Sequence, residues 1–408
     1  MKKVLITLAL SAGLSLMSNT VFAWDYVYTG NDHSSVPMAK NVVVNIDDYM
    51  PWNSGGSARA LGMGGAFTAI ANDMGAVEYN PAGLAKINLV NVSALAVFNR
   101  SSEVNADGNK STEWSIIPTY GGASIKIWKA AFGLSLKNPY FPCTYAKFSN
   151  LQRDVFAPDG YPMRYDSFSD TLNTDGLKTY ALTVALDMGR MSFGANYNII
   201  KGDIERSVRG RVSLENVPYT NGTQFNATDT TSFDGHTMDI GVLMDLGVLR
   251  LGAAAKNIIG KVDVKQDYYW KDNFAMGAGF FVYDPVAVTR SITKFAPTYS
   301  VGAALVFGDI LTIDMDYVTV DMESSEKAMG RLGAELWVIP GFFAARGGVK
   351  TDFKNVTEFR DQKTMEYFVG AGFKLVGLTV DAAASMAQAK EGADGSNMTG
   401  AVSATLKF

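Results

Sequence analysis

The sequence predicts an all-β protein: a transmembrane antiparallel β-barrel of about 14 strands with an N-terminal hatch or plug inside the lumen. Three observations predict it. From residue 88 onward, segments of about ten residues alternate polar and apolar side chains. The connections between them alternate between short and long, and the chain has an export signal at its start and an aromatic residue at its end. A soluble β-sandwich would alternate too, so the last two observations favour the barrel.

The N-terminus has the layout of a secretory signal peptide over residues 1–23. Lys2 and Lys3 precede an apolar run over 4–17, and Val21-Phe22-Ala23 offers a small-residue cleavage site. The other interpretation is a transmembrane helix, for which the apolar run is short. No cysteine follows the predicted cut, so a lipid anchor is not indicated. We therefore expect Sec export, with residues 24–57 as an N-terminal extension of the mature chain.

Composition excludes several classes of protein. Of the 408 residues, 47% are hydrophobic and 12% aromatic, and 40 are glycines, whereas Cys143 is the single cysteine. A disulfide framework needs paired cysteines, so none is expected within the chain. A net charge of −4 gives no basic surface for nucleic acid. No cofactor and no metal site is expected.

Residues 58–87 are predicted to form the hatch. The candidate hatch or gate residues are small or turn-forming: Gly62, Gly64, Gly65, Asn80, Pro81, Ala82 and Gly83. Glycine permits positive φ and lets two backbones approach closely. Proline lacks an N–H donor and biases the preceding residue toward an extended conformation. Such a segment suits a compact, turn-rich insert better than a long helix or a strand.

Residues 88–408 are predicted to form the barrel. Fourteen segments carry the strand pattern: 89–98, 113–127, 131–138, 178–188, 191–202, 237–246, 249–258, 297–307, 310–320, 328–338, 341–350, 366–375, 378–387 and 398–408. Connections after the even-numbered segments are tight, as at Trp128-Lys129 and Gly189-Arg190. The others are longer and polar: 99–112, 139–177, 203–236, 259–296, 321–327, 351–365 and 388–397. Outer-membrane barrels show this asymmetry, with short periplasmic turns. Boundaries within 203–296 stay open, since extra strands could extend hairpins there.

Period-two alternation predicts the two faces of the barrel wall. Leu311, Ile313, Met315 and Tyr317 alternate with polar residues, and the last strand alternates in the same way up to Phe408. About eight strands enclose an interior that their own side chains just fill, so fourteen leave a wider lumen. The segment before the first strand is the available plug.

Five charged residues share the inward parity: Asp314, Asp316, Arg331, Glu335 and Arg346. The short connection at 321–327 predicts a register in which Asp316 opposes Arg331 and Glu335 lies diagonal to Arg346. One interpretation is a charged lumen lining or an anchor for the plug. The other is a solvated or self-paired wall, and the sequence leaves both open.

Two of the long connections are rich in aromatic residues. They are Tyr140, Phe141, Tyr145, Phe148, Phe156, Tyr161, Tyr165 and Phe168 in the first, and Tyr268, Tyr269, Trp270, Phe274, Phe280, Phe281, Tyr283 and Phe295 in the second. These side chains either form an apolar groove over the barrel mouth that captures a hydrophobic ligand, or they form small loop cores or a partner-docking patch. The sequence favours neither.

The sequence does not predict an enzyme. The two histidines, His33 and His236, lie far apart and fall in segments predicted to lie outside the wall. Neither an HExxH nor a GxSxG motif occurs in the mature chain. The glycines of 62–65 lack the strand–turn–helix unit that a dinucleotide-binding turn requires.

Residues 59–84, with a Gly- and Ala-rich lead-in followed by Asn-Pro-Ala, resemble the hatch of the OMPP1/FadL/TodX superfamily of outer-membrane hydrophobe transporters. They are most similar to its PorV/PorQ-like branch, as are GAAAKN at 252–257 and GAELW at 333–337. The resemblance implies that Asn80, Pro81 and Ala82 lie beside a lateral gate. The C-terminal Phe408 resembles the signal that barrel-assembly machinery recognises. The extension 24–57 departs from typical members.

Two functions follow from the resemblance. The first is passive uptake of hydrophobic small molecules, of the long-chain fatty acid or hydrocarbon type, with lateral release into outer-membrane lipids. The second is a PorV-like barrel that binds exported proteins or a secretion-system component. Both place the protein in the outer membrane of a Gram-negative-type cell.

Overall fold

The computed structural model describes residues 56–87, 89–104, 110–138, 143–156, 162–173, 176–214, 223–276, 279–282, 286–292, 297–319, 328–352, 365–387 and 398–408. The predicted signal peptide 1–23 and nearly all of the extension 24–57 lie outside the described residues, so both stay predictions.

The strands of the described residues form one sheet. They are β1 (Val90–Val104), β2 (Lys110–Ile127), β3 (Ala130–Lys137), β4 (Cys143–Phe156), β5 (Pro162–Asn173), β6 (Lys178–Asp187), β7 (Met191–Leu214), β8 (Thr223–Asp245), β9 (Leu249–Met276), β10 (Gly279–Val282), β11 (Val286–Ile292), β12 (Thr298–Phe307), β13 (Leu311–Thr319), β14 (Ala328–Ile339), β15 (Phe343–Asp352), β16 (Met365–Leu375), β17 (Leu378–Ala387) and β18 (Met398–Lys407).

Fourteen of these strands form a closed antiparallel barrel, which confirms the predicted fold class. Each pairs with its neighbours in chain order once the β4–β5 and β10–β11 segments are set aside, and β18 pairs back with β1. The seam extends to the last residue: Phe408 N–H donates to the Val90 carbonyl at 2.9 Å, and Val90 N–H donates to the Phe408 carbonyl at 3.2 Å. Closure leaves no unpaired edge, which is the condition for a sheet to cross lipid.

The predicted tight connections are present as turns at one end of the wall. The β2–β3 turn at Trp128-Lys129 illustrates their chemistry, because Trp128 adopts φ 56 although it is not glycine. Two-residue hairpins need such left-handed residues to match the twist of the flanking strands. Glycine supplies them at the equivalent β6–β7 and β8–β9 turns, where Gly189 has φ 85 and Gly247 has φ 91.

The connection predicted at 139–177 is largely strand, and at 203–236 and 259–296 the structure has the alternative that the sequence left open, extra strand residues that extend hairpins. Most of these residues form strands: the β4–β5 hairpin, the far halves of β7, β8 and β9, and the short β10 and β11 that pair with β9. His236, predicted to lie outside the wall strands, is a strand residue of β8 opposite Lys261. A strand that continues past the membrane has no lipid on either face. It therefore loses the polar–apolar alternation on which the prediction depended.

The two faces of the wall differ as predicted. Met315 is 60% exposed and Val369 is 64% exposed on the outer face, whereas Asp314 is fully buried on the inner one. The final strand alternates in the same way, with Leu406 outside and Ser403 inside. A closed wall with an apolar outer face fits the hydrocarbon of a bilayer rather than water.

The helices of the described residues all belong to the segment that precedes the wall, residues 56–87. They are α1 (Ala58–Gly62), α2 (Ala76–Tyr79) and a 3₁₀ helix (Pro81–Lys86). Asn80 is extended, with φ −159 and ψ 104, as the following proline requires. The segment is thus short-helical and turn-rich. In the described part of the chain, no helix has both the length and the apolarity needed to span a membrane.

Candidate functional site

The 56–87 segment packs against the inner face of the barrel. Its side chains Met63, Phe67 and Met74 are at most 1% exposed. Its contacts reach strands on all sides of the wall, including β3, β7, β9, β14 and β18. A segment that touches strands all the way around a closed wall lies within the lumen.

The wall accommodates the segment with glycine. Nine inward-facing glycines contact it and are called here the inner glycine belt: Gly122, Gly133, Gly194, Gly241, Gly252, Gly302, Gly333, Gly348 and Gly370. Six of them form opposed pairs across neighbouring strands: Gly194–Gly241, Gly252–Gly302 and Gly333–Gly348. A Cβ at Gly252 would overlap the Thr68 carbonyl. Glycine weakens a strand interior, and its recurrence here corresponds to close approach of a second backbone.

The segment's own glycines complete this contact. Gly62 ends α1, and a Cβ there would stand 3.1 Å from the Gly370 Cα. Gly64 and Gly65 adopt φ 67 and 76, the left-handed conformation that glycine favours, and a Cβ at Gly64 would lie 3.0 Å from the Val349 nitrogen.

Asn80 uses its whole amide to join the segment to the wall, and it is fully buried. Its Nδ2 donates to the Thr68 carbonyl at 2.9 Å and to the Val242 carbonyl of β8 at 3.0 Å. Its Oδ1 accepts from the Ala82 N–H at 3.2 Å and so begins the 3₁₀ helix. Two donors and one acceptor on one short side chain require asparagine at this position.

The neighbours of Asn80 are equally enclosed. Pro81, Ala82 and Gly83 are buried, and the Pro81–Ala82 peptide faces Gly194 of β7. A Cβ at Gly83 would overlap the Ala71 carbonyl. The structure therefore places six of the seven predicted hatch residues at the segment–wall contact, whereas Gly83 packs against Ala71 within the segment.

An ionic network joins α1 to three wall strands, β14, β15 and β17. Arg59 donates to the Glu335 carboxylate from Nε at 2.7 Å and from Nη2 at 2.9 Å. Arg346 Nε donates to the same carboxylate at 2.7 Å, and its Nη1 lies 2.9 Å from Asp381 Oδ1. Glu335 lies directly opposite Arg346, not diagonal to it as predicted. The difference arises because the β14–β15 turn covers residues 340–342 rather than Ile339-Pro340, and the ladder shifts register between Trp337 and Ile339.

Asp316 anchors the segment through its backbone. Its Oδ2 accepts from the N–H groups of Phe67 at 2.8 Å and Thr68 at 2.9 Å, and from the Thr68 hydroxyl at 2.8 Å. It opposes Arg331 as predicted, and Arg331 Nη1 donates to the Gly65 carbonyl at 3.2 Å. Asp314, one inward position away, is fully buried.

Glu78 of α2 is the segment's second ionic contact. It pairs with Lys137 of β3 and lies 3.7 Å from the Lys256 ammonium of β9. Burial acts to raise the pKa of the Glu78 carboxyl, but the two ammonium groups outweigh it and hold that pKa below its ordinary value.

This pKa predicts how the stability contribution of Glu78 depends on pH. Because the pKa of Glu78 is lower in the folded state, its ionised carboxylate stabilises the folded protein. This stabilisation is complete above the pKa of the unfolded state, about 4.3, and is lost as the pH falls through the folded-state pKa. The free energy of unfolding of the wild type should therefore exceed that of Glu78→Gln by a constant amount near neutral pH. The difference should shrink below about pH 4. Urea titrations of both proteins from pH 7 to pH 3 measure it, and a gap that widens in acid would contradict the assignment.

Several residues of the site were not predicted. Arg59, Asp381 and the inner glycine belt contact the segment or its network, yet no local motif identifies them. One signal was available for the belt, since glycines recur at the inward parity in nine strands. The predicted aromatic side chains of 139–177 and those of 268–295 lie outside the described residues, although the strand backbones that carry many of them are described.

Fourteen antiparallel strands closed around a buried N-terminal segment define the class: a transmembrane β-barrel with an occupied lumen. Among the described residues, no group of three His, Cys, Asp or Glu side chains is placed to hold a metal ion. Within this class, solved structures of two hydrocarbon channels share the fold of this chain.

The fold matches that of the toluene transporter TodX of Pseudomonas putida, with a TM-score of 0.57 and 12% identity over 87% of this chain and 98% of that one. It also matches the CymD monoaromatic hydrocarbon channel, with a TM-score of 0.52 and 14% identity over 87% and 98%. The TodX deltaS2S3 mutant channel gives 0.58 and 12% over 87% and 99%. No protein-family model and no curated protein sequence matches the chain. Membership of the OMPP1/FadL/TodX superfamily, and of its PorV-like branch, stays a prediction.

Proposed function

We propose that the protein is an outer-membrane channel for passive uptake of hydrophobic small molecules. The observation that carries this proposal is the occupied lumen: the 56–87 segment contacts the wall on all sides, so passage requires the segment to move. The shared fold of two hydrocarbon channels supports a hydrophobic substrate. Monoaromatic hydrocarbons and long-chain fatty acids are both candidate substrates.

The proposed route needs no energy source and no catalytic step. A hydrophobic molecule leaves water at the extracellular end, passes the displaced segment, and exits sideways through the wall into lipid. Transfer of apolar surface out of water is favourable by about 25 cal/mol per Å², so both capture and release proceed downhill. Residues 58–87 are the hatch in this proposal, and Asn80, Pro81 and Ala82 form its gate. Sec export and recognition of Phe408 by assembly machinery would deliver the barrel to the outer membrane.

A second candidate function, binding of exported proteins, is favoured by a specific observation. Strands β7, β8 and β9 are 24, 23 and 28 residues long. A tilted membrane-spanning strand needs only about 9–11 residues. The excess forms a projecting sheet, extended by β4, β5, β10 and β11, that offers a surface for another protein.

Uptake into vesicles tests the first proposal. The purified protein is reconstituted into vesicles whose outer leaflet is lipopolysaccharide, and entry of radiolabelled toluene and radiolabelled oleate is timed against empty vesicles. We expect faster entry of at least one probe, and the preferred probe identifies the substrate class. Equal rates with and without protein would reject the channel. A stoichiometric protein partner recovered from outer membranes, together with equal rates, would support the second function.

The gate assignment is tested with Asn80→Ala combined with Pro81→Ala. The double variant loses the hydrogen bonds from Asn80 to Thr68 and Val242, so we expect the barrel to assemble and its permeability to change. Heat-modifiable migration in gels measures assembly, and the vesicle assay measures permeability. If the variant fails to assemble, the segment is scaffolding for the wall and not a gate.

A further inference from the structure

The outer face of the wall shows where the hydrocarbon ends, on the side opposite the tight turns. The outward side chains of β6 and β7 are apolar as far as Tyr180 and Ile199. The next outward positions are Lys178 and Lys201, which oppose each other in the ladder, and β7 continues with Asp203, which is exposed. Charged residues on the lipid-facing side cost little near an interface and much more at the centre of the bilayer. The lysine pair therefore marks one edge of the hydrocarbon.

The tight turn between β6 and β7 lies one bilayer thickness from this edge. Met188, at the tip of the turn, follows Lys178 by ten residues. At about 3.4 Å per residue and a strand tilt of about 45°, these residues span about 24 Å along the barrel axis. The apolar band of an outer-membrane barrel is about 25 Å tall. The tip therefore lies at the opposite lipid surface and does not project into the water beyond it.

This turn and the neighbouring β2–β3 turn have large apolar side chains at their tips. Trp128 is 85% exposed and Met188 is 66% exposed. The two turns lie side by side because β3 pairs with β6, and the Asp187 N–H donates to the Lys129 carbonyl at 2.7 Å. The Lys129 ammonium lies 5.2 Å from the centre of the Trp128 ring. Tryptophan is typical of the boundary between lipid and water, where its ring is buried and its N–H meets polar groups.

Positive charge is in excess around the two tips. Lys129 and Arg190, one in each turn, are exposed. The carboxylate between them, Asp187, already accepts from Lys86 Nζ at 2.9 Å and from Lys126 Nζ at 3.2 Å. Four cations therefore surround one carboxylate, and the two exposed cations are available to an anionic group outside the protein.

The next turn around the barrel, between β8 and β9, does not add to this charge. Asp245 Oδ2 lies 3.3 Å from Arg250 Nε, so the two charges of this turn offset each other. Its tip is apolar as well, with Leu246 and Val248 both exposed. The apolar character thus continues around the base of the barrel, whereas the excess positive charge is concentrated at the β2–β3 and β6–β7 turns.

We propose that the β2–β3 and β6–β7 turns bind the headgroup of an anionic phospholipid in the periplasmic leaflet. Trp128 and Met188 insert beside the acyl chains, and Lys129 and Arg190 contact the phosphate. Each lysine or arginine near an anionic lipid surface favours binding, and the arginine fork can donate two hydrogen bonds to one phosphate. A lipid is the occupant rather than a periplasmic protein because the tips end at the lipid surface.

Lipid binding to the purified barrel tests the charged part of the surface. Native mass spectrometry follows titrations with phosphatidylglycerol and with phosphatidylcholine. We expect phosphatidylglycerol to bind more tightly, and Lys129→Gln combined with Arg190→Gln to weaken its binding by about an order of magnitude. Lys129→Arg combined with Arg190→Lys retains both charges and should bind phosphatidylglycerol more tightly than the glutamine variant does.

The matched control is Lys201→Gln combined with Lys261→Gln, which removes two exposed lysines from the other edge of the wall. It should bind phosphatidylglycerol as the wild type does. Equal binding by the wild type and the variant without Lys129 and Arg190 would overturn the proposal. An equal loss in the control would also overturn it, because the attraction would then depend on total charge and not on this surface.

A spin label tests whether the tips lie in lipid. In a Cys143→Ser background, Met188→Cys is labelled and reconstituted into vesicles of phosphatidylcholine and phosphatidylglycerol. Collisions with oxygen, which concentrates in lipid, are compared with collisions with a water-soluble nickel chelate. We expect the label at 188 to favour oxygen, and a label at Glu205→Cys, beyond the charged edge of β7, to favour the chelate. A label at 188 that favours the chelate would place the tip in water and overturn the proposal in favour of a protein occupant.

Discussion

Replacing Gly194 by valine is expected to unseat the segment from the lumen and to make the closed barrel leak ions. A Cβ at Gly194 would overlap the Pro81–Ala82 backbone, which cannot rotate away as a side chain can. Overpacking a core position costs about 1–3 kcal/mol, and a clash with backbone adds to that. The wall has hydrogen bonds of its own, so the segment should yield before the barrel does.

Single-channel recording in planar bilayers measures this effect. The wild type should be electrically silent for most of the record, whereas Gly194→Val should show large, long-lived steps in conductance. Gly121→Val is the matched control, because Gly121 also lies in a wall strand and a Cβ there meets nothing within 4 Å. A silent Gly194→Val barrel would show that the segment tolerates displacement of the 3₁₀ helix without opening a path. Conductance steps in both Gly194→Val and Gly121→Val would indicate a general loss of wall stability.

Replacing Glu335 by glutamine is expected to produce the largest loss of stability. The carboxylate accepts three hydrogen bonds from Arg59 and Arg346 and is 2% exposed. Glutamine retains the shape but leaves two buried guanidinium groups without the charge between them. Breaking a buried ion pair by removing one partner typically costs about 3–5 kcal/mol. We expect the free energy of unfolding in urea to fall by about that amount.

Two controls separate this effect from a general response to lost charge. Asp263→Asn removes one partner of the Lys261–Asp263 pair, whose side chains are about 60% exposed, and should cost under about 1 kcal/mol. A double-mutant cycle of Glu335→Gln with Arg59→Gln then isolates the coupling between the segment and the wall. A coupling energy near zero would mean that Glu335 stabilises the wall alone, through Arg346.

The wall could be predicted from the sequence because lipid imposes its pattern residue by residue. Met315 and Tyr317 face hydrocarbon, whereas Asp314 and Asp316 must face away from it. This alternation identifies the strand, shows which of its faces points outward, and restricts its pairing register. Where β7–β9 extend beyond the membrane-spanning length this constraint ends, and the sequence left the strand boundaries within 203–296 open. The backbone ladder continues there without any pattern in the side chains to reveal it.

The contacts of the segment could not be predicted in the same way. Arg59 meets Glu335 across 276 positions of sequence, and no periodicity relates the two residues. The turn chemistry of Asn80-Pro81 was predictable because proline constrains its neighbour directly. Its partner across the interface is Gly194 of β7, which matters because it has no side chain. The sequence alone does not show which backbone will pack against such a glycine.

The closing seam has a consequence for biogenesis. The segment precedes every described strand, whereas β18, which closes the wall on β1, follows the other described strands. The Ala58 N–H donates to the Ser403 hydroxyl of β18 at 3.2 Å, 345 positions away. Contacts this distant in sequence form late and slow the folding of a chain. The strands must therefore either close around the segment or form the barrel first, with the segment inserting afterwards through one end. In either case, a nascent barrel that lacks β18 also lacks part of the surface on which α1 packs. Closure of the wall and docking of α1 are therefore coupled steps of folding.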